Sequence, residues 1–181
     1  MSRTEEPYVM QRAGGEASAL RAGDLRIGIV LSDYHAALGE ALLGGALQRL
    51  KAAGLEPVVV ARVPGAFEIP QAVSRILLRD AQRPHGMIAL GVLVRGETMH
   101  FEILAREVCS RLQAIGIATG VPIGFGVLTV DSERQARDRA GRNRANKGWE
   151  AAEATLRMAA LFRDLEAPPR SARPAGRRRR R

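Results

Sequence analysis

The sequence predicts an α/β fold, a three-layer α/β/α sandwich around a four-stranded parallel sheet. Two observations predict it. Four short apolar runs rich in β-branched residues each give way, over a short link, to a stretch with helical spacing, as in successive βαβ units. The runs are also nearly continuous in apolar character rather than alternating, as in strands covered on both faces.

The elements follow in order. Residues 1–23 mix Gly, Ala, Ser, Glu and Arg without a period and read as a flexible extension, in which Tyr8-Val9-Met10 could add a short strand to a neighbour. Residues 26–32 (RIGIVLS) form the first strand. Asp33-Tyr34-His35 leads into a helix over about 36–53, with Leu38, Leu42, Leu43, Ala46, Leu47 and Leu50 at helical spacing and Gly54 as its stop. A second strand over 56–63 runs into Pro64-Gly65-Ala66-Phe67-Glu68-Ile69-Pro70, and a helix continues through Val73, Ile76 and Leu77. The third strand spans 87–94. Its helix is predicted to open at Thr98 and run to about Thr119, with Ile103, Leu104, Val108, Leu112 and Ile115 along one side. A fourth strand over 122–129, a polar helix over 132–140, a glycine- and arginine-rich link and a last helix from Lys147 to about Leu165 complete the domain, residues 24–166.

Bulk properties agree with one soluble domain: 181 residues, 46% hydrophobic and 26% charged. With aromatics at 4%, the core must come from Ala, Leu, Ile and Val. The lone cysteine, Cys109, reads as helix core filler rather than nucleophile, and excludes an internal disulfide. With no signal-peptide pattern and no bilayer-length apolar run, the expected location is cytoplasmic, away from membranes. The net charge of +9 suggests a nucleic-acid partner, but residues 167–181 hold seven arginines and no acid. The rest of the chain has 21 basic and 19 acidic residues and is nearly neutral. That tail, opened by Pro168-Pro169, cannot build a core; it reads either as a disordered solubilising segment or as an arm for polyanions.

The candidate site is the turn Gly91-Val92-Leu93-Val94-Arg95-Gly96-Glu97-Thr98-Met99-His100-Phe101. A buried strand, a glycine turn and a helix start bring free backbone N–H groups and the positive helix end together, which favours phosphate or carboxylate. A helix start disfavours a cation, and a neutral imidazole such as His100 could supply is what a general base requires. In doubly wound sheets ligands bind beyond the carboxyl ends of the strands. Those ends carry Asp33-Tyr34-His35, Pro64 to Glu68, Arg95 to His100 and Thr129-Val130-Asp131, so polar and aromatic residues collect where the fold places a site. The sequence has no zinc-type Cys/His spacing, P-loop, GxGxxG or GxSxG. By position alone, Phe67 and Phe125 read as core, Arg139 as one of several crowded solvent-facing arginines, and Lys147 as a surface residue at a helix start.

Four segments change that reading. Val63-Pro64-Gly65-Ala66-Phe67-Glu68-Ile69-Pro70, residues 91–101, Phe125-Gly126-Val127-Leu128-Thr129 and Asn146-Lys147-Gly148-Trp149-Glu150-Ala151-Ala152 occur in this order. Together they resemble the 6,7-dimethyl-8-ribityllumazine synthase family over about residues 25–163. The resemblance implies a flavodoxin-like fold with strand order 2-1-3-4. It implies a transferase of riboflavin biosynthesis that condenses 5-amino-6-ribitylamino-uracil with 3,4-dihydroxy-2-butanone 4-phosphate, releasing phosphate and water, with no metal or organic cofactor. It further implies that Tyr34 stacks on the pyrimidine, that Ala66, Phe67 and Glu68 hold the ribityl chain, and that Leu93 and Val94 contact the heterocycle through their backbone. Gly96, Glu97 and Thr98 would form the phosphate turn, His100 would transfer protons, and Arg139 would clamp the phosphate. Phe125 would line a neighbouring subunit's pocket, with Lys147 near the site.

Departures from the family pattern are His35, where Asn is frequent, Glu97, where a small residue is common, and Ala145, where glycine is frequent. A carboxylate at 97 would repel phosphate unless it turns to solvent or a cation. As partners, the resemblance implies small-molecule substrates, homopentamers with sites between subunits, an assembly left open between pentamer, decamer and 60-subunit shell, and association with riboflavin synthase. Two other classes remain beside the enzyme: a binding module that keeps the pocket without turnover, and a basic nucleic-acid-binding shell protein.

Overall fold

The computed structural model describes residues 25–79, 83–141 and 145–166. The extension expected over 1–23, with Tyr8-Val9-Met10, and the arginine tail over 167–181 lie outside the described residues. Four strands, β1 Ile27–Ser32, β2 Pro57–Val63, β3 Gly86–Val94 and β4 Ile123–Val130, pair in parallel in the order β2-β1-β3-β4. Five helices follow in chain order: α1 Ala36–Ala52, α2 Ile69–Leu77, α3 His100–Thr119, α4 Glu133–Arg139 and α5 Lys147–Glu166. A short 3-10 turn, Ala66–Glu68, precedes α2.

The layers follow from which residues of each strand point which way. Ile27, Ile29 and Leu31 of β1, with Ile88, Leu90 and Val92 of β3, pack beneath α1, α4 and α5 through Leu42, Ala46, Leu50, Ala136, Ala152 and Leu156. Val30, Met87, Ala89 and Val127 pack on the opposite face against Ile69, Val73 and Leu77 of α2 and Val108 and Leu112 of α3. The central strands are therefore apolar at every position but the buried Ser32 that ends β1, whereas edge strand β2 alternates in burial with Val58 and Val60 exposed. Each fully buried Ile or Leu contributes about 2 kcal/mol. Because these residues concentrate in β1 and β3, those two strands form the most firmly held part of the platform, and burial eases only at Leu93 and Val94, the carboxyl end of β3.

Helix ends are set locally. α1 stops at Gly54 (φ 70°), as the sequence predicts, and α3 stops at Gly120 (φ 67°). Pro70 sits in the first turn of α2, where no N–H is needed. Ser132 caps α4 by accepting from Gln135 N–H at 3.3 Å. Two expectations for α3 fail. The helix begins at His100 rather than Thr98, because Arg95 to Met99 are used in crossing from the strand end. Its buried stripe is narrow, only Val108 and Leu112, so Ile103 is exposed and Cys109 is an exposed thiol rather than core filler. No helix among the described residues is long and apolar enough to cross a membrane.

Candidate active site

The strand register itself opens a crevice. β1 pairs with β3 only as far as Leu31 with Leu90, while β3 continues for four more residues, held by β4 through Val94 and Val130. The edge of Val92, Leu93 and Val94 that faces β1 thus has no strand partner, and its backbone groups are available to a ligand. Chain direction diverges at this point: β1 leads outward to β2, and β3 leads the opposite way to β4. It is the topological switch point, where open parallel sheets bind ligands.

Side chains surround the crevice in the way the strand ends dictate. After β1, Tyr34 stands 79% exposed, with the His35 ring edge-on to it at 5.1 Å between centroids. His35 occupies the cap position of α1 without a side-chain cap bond, so it does not perform the capping that Asn at this position would. Asp33 N–H donates to Val63 C=O at 2.9 Å, joining the ends of β1 and β2. Arg62 bonds Glu40 at 2.5 Å and Asp33 at 3.1 Å, and these hydrogen bonds hold its guanidinium charged even more firmly than usual.

After β2, Ala66 is buried and anchors the 3-10 turn, which leaves Phe67 56% exposed. Phe67 is therefore not core. It lines a groove of about 470 Å3 between α2 and α3, with Gln71, Ser74, Glu107 and Arg111. The half-buried Glu68 folds back over Gly65, whose Cβ position lies 3.0 Å from Glu68 Oε2.

The β3 turn is anchored by its own arginine. Arg95 N–H donates to Val130 C=O at 2.8 Å, and Nε donates to Asp131 Oδ1 at 2.8 Å. Nη1 bonds Glu102 of α3, and the guanidinium carbon lies 4.6 Å from the Phe101 ring centroid. The Asp131 bond, followed by the Glu102 charge, holds Arg95 charged above its ordinary range. With two carboxylates bound, Arg95 braces the turn rather than meeting an anion. Gly96, Glu97, Thr98, Met99 and His100 then stand exposed above the strand ends. Glu97 thus turns to solvent, which removes the repulsion its carboxylate would exert on a phosphate in the turn. Thr98 Oγ1 accepts weakly from His100 N–H at 3.4 Å, so the predicted hydroxyl at the helix entrance is there, though outside the helix.

Beyond β4, Arg139 ends α4 and is exposed. Its Nη1 donates to Gln135 C=O at 3.3 Å, and it makes no ion pair among the described residues. Lys147 begins α5 and pairs with Glu150 at 2.6 Å. The fold therefore carries Tyr34, Ala66, Phe67, Glu68, Leu93, Val94, Gly96, Glu97, Thr98, His100, Arg139 and Lys147 on the carboxyl side of the sheet. Phe125 is the exception. It is the third of the eight residues of edge strand β4, opposite Ala89 and 43% exposed, five residues or about 16 Å before the strand's end. Among the described residues no three His, Cys, Asp or Glu side chains converge as metal ligands would.

Two residues at this end received no role from the sequence, Arg95 and Asn146. Asn146 is buried between α4 and α5 and immediately precedes a helix, a position where Asn is a favoured cap; that signal was readable. For Arg95 the signal was fainter: acids at 102 and 131 that only the fold brings together.

Comparison with known proteins is consistent along the whole domain. The family described as 6,7-dimethyl-8-ribityllumazine synthase matches residues 24–163. The protein of that name from Streptomyces avermitilis is 40% identical over 156 residues, 84% of this chain and 94% of that protein. Those from Pseudarthrobacter chlorophenolicus and Thermococcus gammatolerans are each 43% identical, over 77% and 78% of this chain and 85% and 90% of their own lengths. With a 2-1-3-4 parallel sheet, a crevice at its switch point and similarity across nearly all the described residues, the chain belongs to the 6,7-dimethyl-8-ribityllumazine synthase family.

Proposed function

We propose that this protein condenses 5-amino-6-ribitylamino-uracil with 3,4-dihydroxy-2-butanone 4-phosphate to give 6,7-dimethyl-8-ribityllumazine, phosphate and water. Beyond family membership, the observation that carries this reading is the unpaired backbone edge of β3 beside Tyr34. A flat heterocycle with donors and acceptors on its rim can pair with that edge while Tyr34 covers its face. Glu68 accepts ribityl hydroxyls, with Ala66 and Phe67 shaping the wall. Gly96 and Thr98 bind the phosphate at the α3 entrance. Arg139, free of carboxylates among the described residues, supplies planar charge-assisted bonds to it.

Schiff-base formation, elimination of phosphate and ring closure all require protons to move. His100, in the first turn of α3 beside the phosphate turn, is placed to move them. Holding both reactants together supplies much of the remaining acceleration.

The site is shared between subunits in this reading. Tyr34, Phe67, Met99, Ile103 and Phe125 are large apolar residues left exposed on a single chain. Phe125, too near the amino end of β4 to reach its own crevice, serves a neighbour's. The family resemblance makes that assembly a pentamer, and its further assembly into a shell is set by contacts outside the single chain. The domain spans residues 24–166, and the arginine tail beyond it is a polyanion-binding arm.

The test is lumazine formation from the two purified substrates, followed by absorbance and fluorescence on size-separated protein. Product should appear with the pentamer or a larger species and not with monomer. A folded oligomer that binds the pyrimidine but forms no product would instead identify a binding module.

A further inference from the structure

Asn146 is 3% exposed and fully committed. Its Nδ2 lies 3.0 Å from Ala140 C=O, 2.9 Å from Gly141 C=O and 3.0 Å from Ala41 C=O. Its Oδ1 accepts from Gly148 N–H at 2.8 Å and Trp149 N–H at 3.3 Å. Three carbonyls on one side and two N–H groups on the other leave one orientation for the amide. One side chain thus satisfies the carbonyls at the end of α4, caps the start of α5 and ties both to the middle of α1.

What it ties down is the backbone on either side of the two basic site residues. Arg139 immediately precedes Ala140, and Lys147 immediately follows Asn146. Both side chains bond only within their own helices, Arg139 to Gln135 C=O and Lys147 to Glu150, among the bonds of the described residues. Their location is therefore set by where α4 ends and α5 begins. α4 has seven residues, too few to hold its end without tertiary support.

We propose that Asn146 is a positioning residue for phosphate capture, acting through Arg139. The inference rests on the reading of Arg139 as the phosphate clamp. Serine at 146 retains an oxygen to cap α5 but loses the amide donors to α4. Aspartate likewise keeps the acceptors and adds a charge facing three carbonyls.

The experiment is a double-mutant cycle with Asn146→Ser and Arg139→Ala, reading KM for the butanone phosphate, kcat, pyrimidine binding and assembly. Asn146→Ser should raise KM for the phosphate substrate about tenfold, with kcat, pyrimidine binding and assembly close to wild type. In the Arg139→Ala background it should add little, since the group it positions is gone. Equal effects in both backgrounds, or an unchanged KM in the assembled variant, overturn the proposal. If Arg139→Ala itself leaves use of the phosphate substrate unchanged, the clamp assignment has failed, and the proposal with it; that result is visible without any Asn146 variant. If Asn146→Ser does not assemble, Asn146→Asp takes its place. Loss of assembly in both assigns Asn146 to folding alone and overturns the positioning role.

Discussion

Replacing Gly148 with alanine tests how closely α1 and α5 are packed. A Cβ at 148 would lie 1.9 Å from Leu42 O and 2.7 Å from Leu42 C. Both are backbone atoms, so no rotamer change relieves the clash. Reaching an ordinary C···O contact of about 3.3 Å requires the helices to separate by roughly 1.4 Å. A gap of that size costs contacts among Leu42, Ala46, Leu50, Ala152 and Leu156, and it strains the Asn146 bonds that cross the same junction. Overpacking of this kind costs about 1–3 kcal/mol, and weakened buried hydrogen bonds add about 1 kcal/mol. The helix-propensity gain of alanine over glycine returns at most about 1 kcal/mol. A net loss of about 1–3 kcal/mol should lower Tm by roughly 3–10 °C for a chain of this size. Gly44→Ala is the control: it sits in the same α1 helix with no atom within 4 Å of its Cβ position, and it should stabilise by about 0.5–1 kcal/mol. The assay is thermal unfolding of wild type and both variants at one protein concentration and scan rate. A Gly148→Ala protein that melts at or above the wild-type temperature would refute the backbone-to-backbone packing of α1 on α5.

Further outcomes follow from the site. His100→Ala should lower kcat by about 10²–10⁴ while leaving pyrimidine affinity within about twofold, measured by steady-state kinetics and ligand titration. An equal loss of binding would make His100 a binding residue instead. Arg95→Gln should lower Tm and weaken use of the phosphate substrate, because it leaves Asp131 and Glu102 facing each other beneath the turn. The Tm difference should narrow in 1 M salt, where screening reduces both the lost attraction and the new repulsion. Removing residues 167–181 should abolish salt-sensitive binding of RNA or DNA without changing turnover; binding that survives the deletion would place the polyanion site on the near-neutral body.

The sequence by itself determined the parallel α/β architecture. The apolar runs of β1 and β3 can be stable only with both faces covered, and the spacing of Ile69, Val73 and Leu77 suits a helix lying on one of those faces. It also determined which strand ends carry chemistry, because residues at those ends face no core and are free to be polar. The motifs at 63–70, 91–101, 125–129 and 146–152 were enough to place the family. Burial at the margins was beyond its reach. Cys109 and Ile103 looked like core in a helical period, yet α3 touches the sheet along one narrow stripe, and its remaining faces are left over for other contacts. Phe67 and Phe125 erred in the same direction for another reason: an aromatic residue reads as core by type, and only the strand ends and the edge position of β4 leave them outside. The tertiary structure alone decided the register that leaves four residues of β3 without a β1 partner, and it alone brought Arg95 to Asp131 and Asn146 to Ala41, 105 residues away. Local propensity acts over a few residues, whereas register and long-range hydrogen bonds exist only after the strands have paired and α5 has closed on α1.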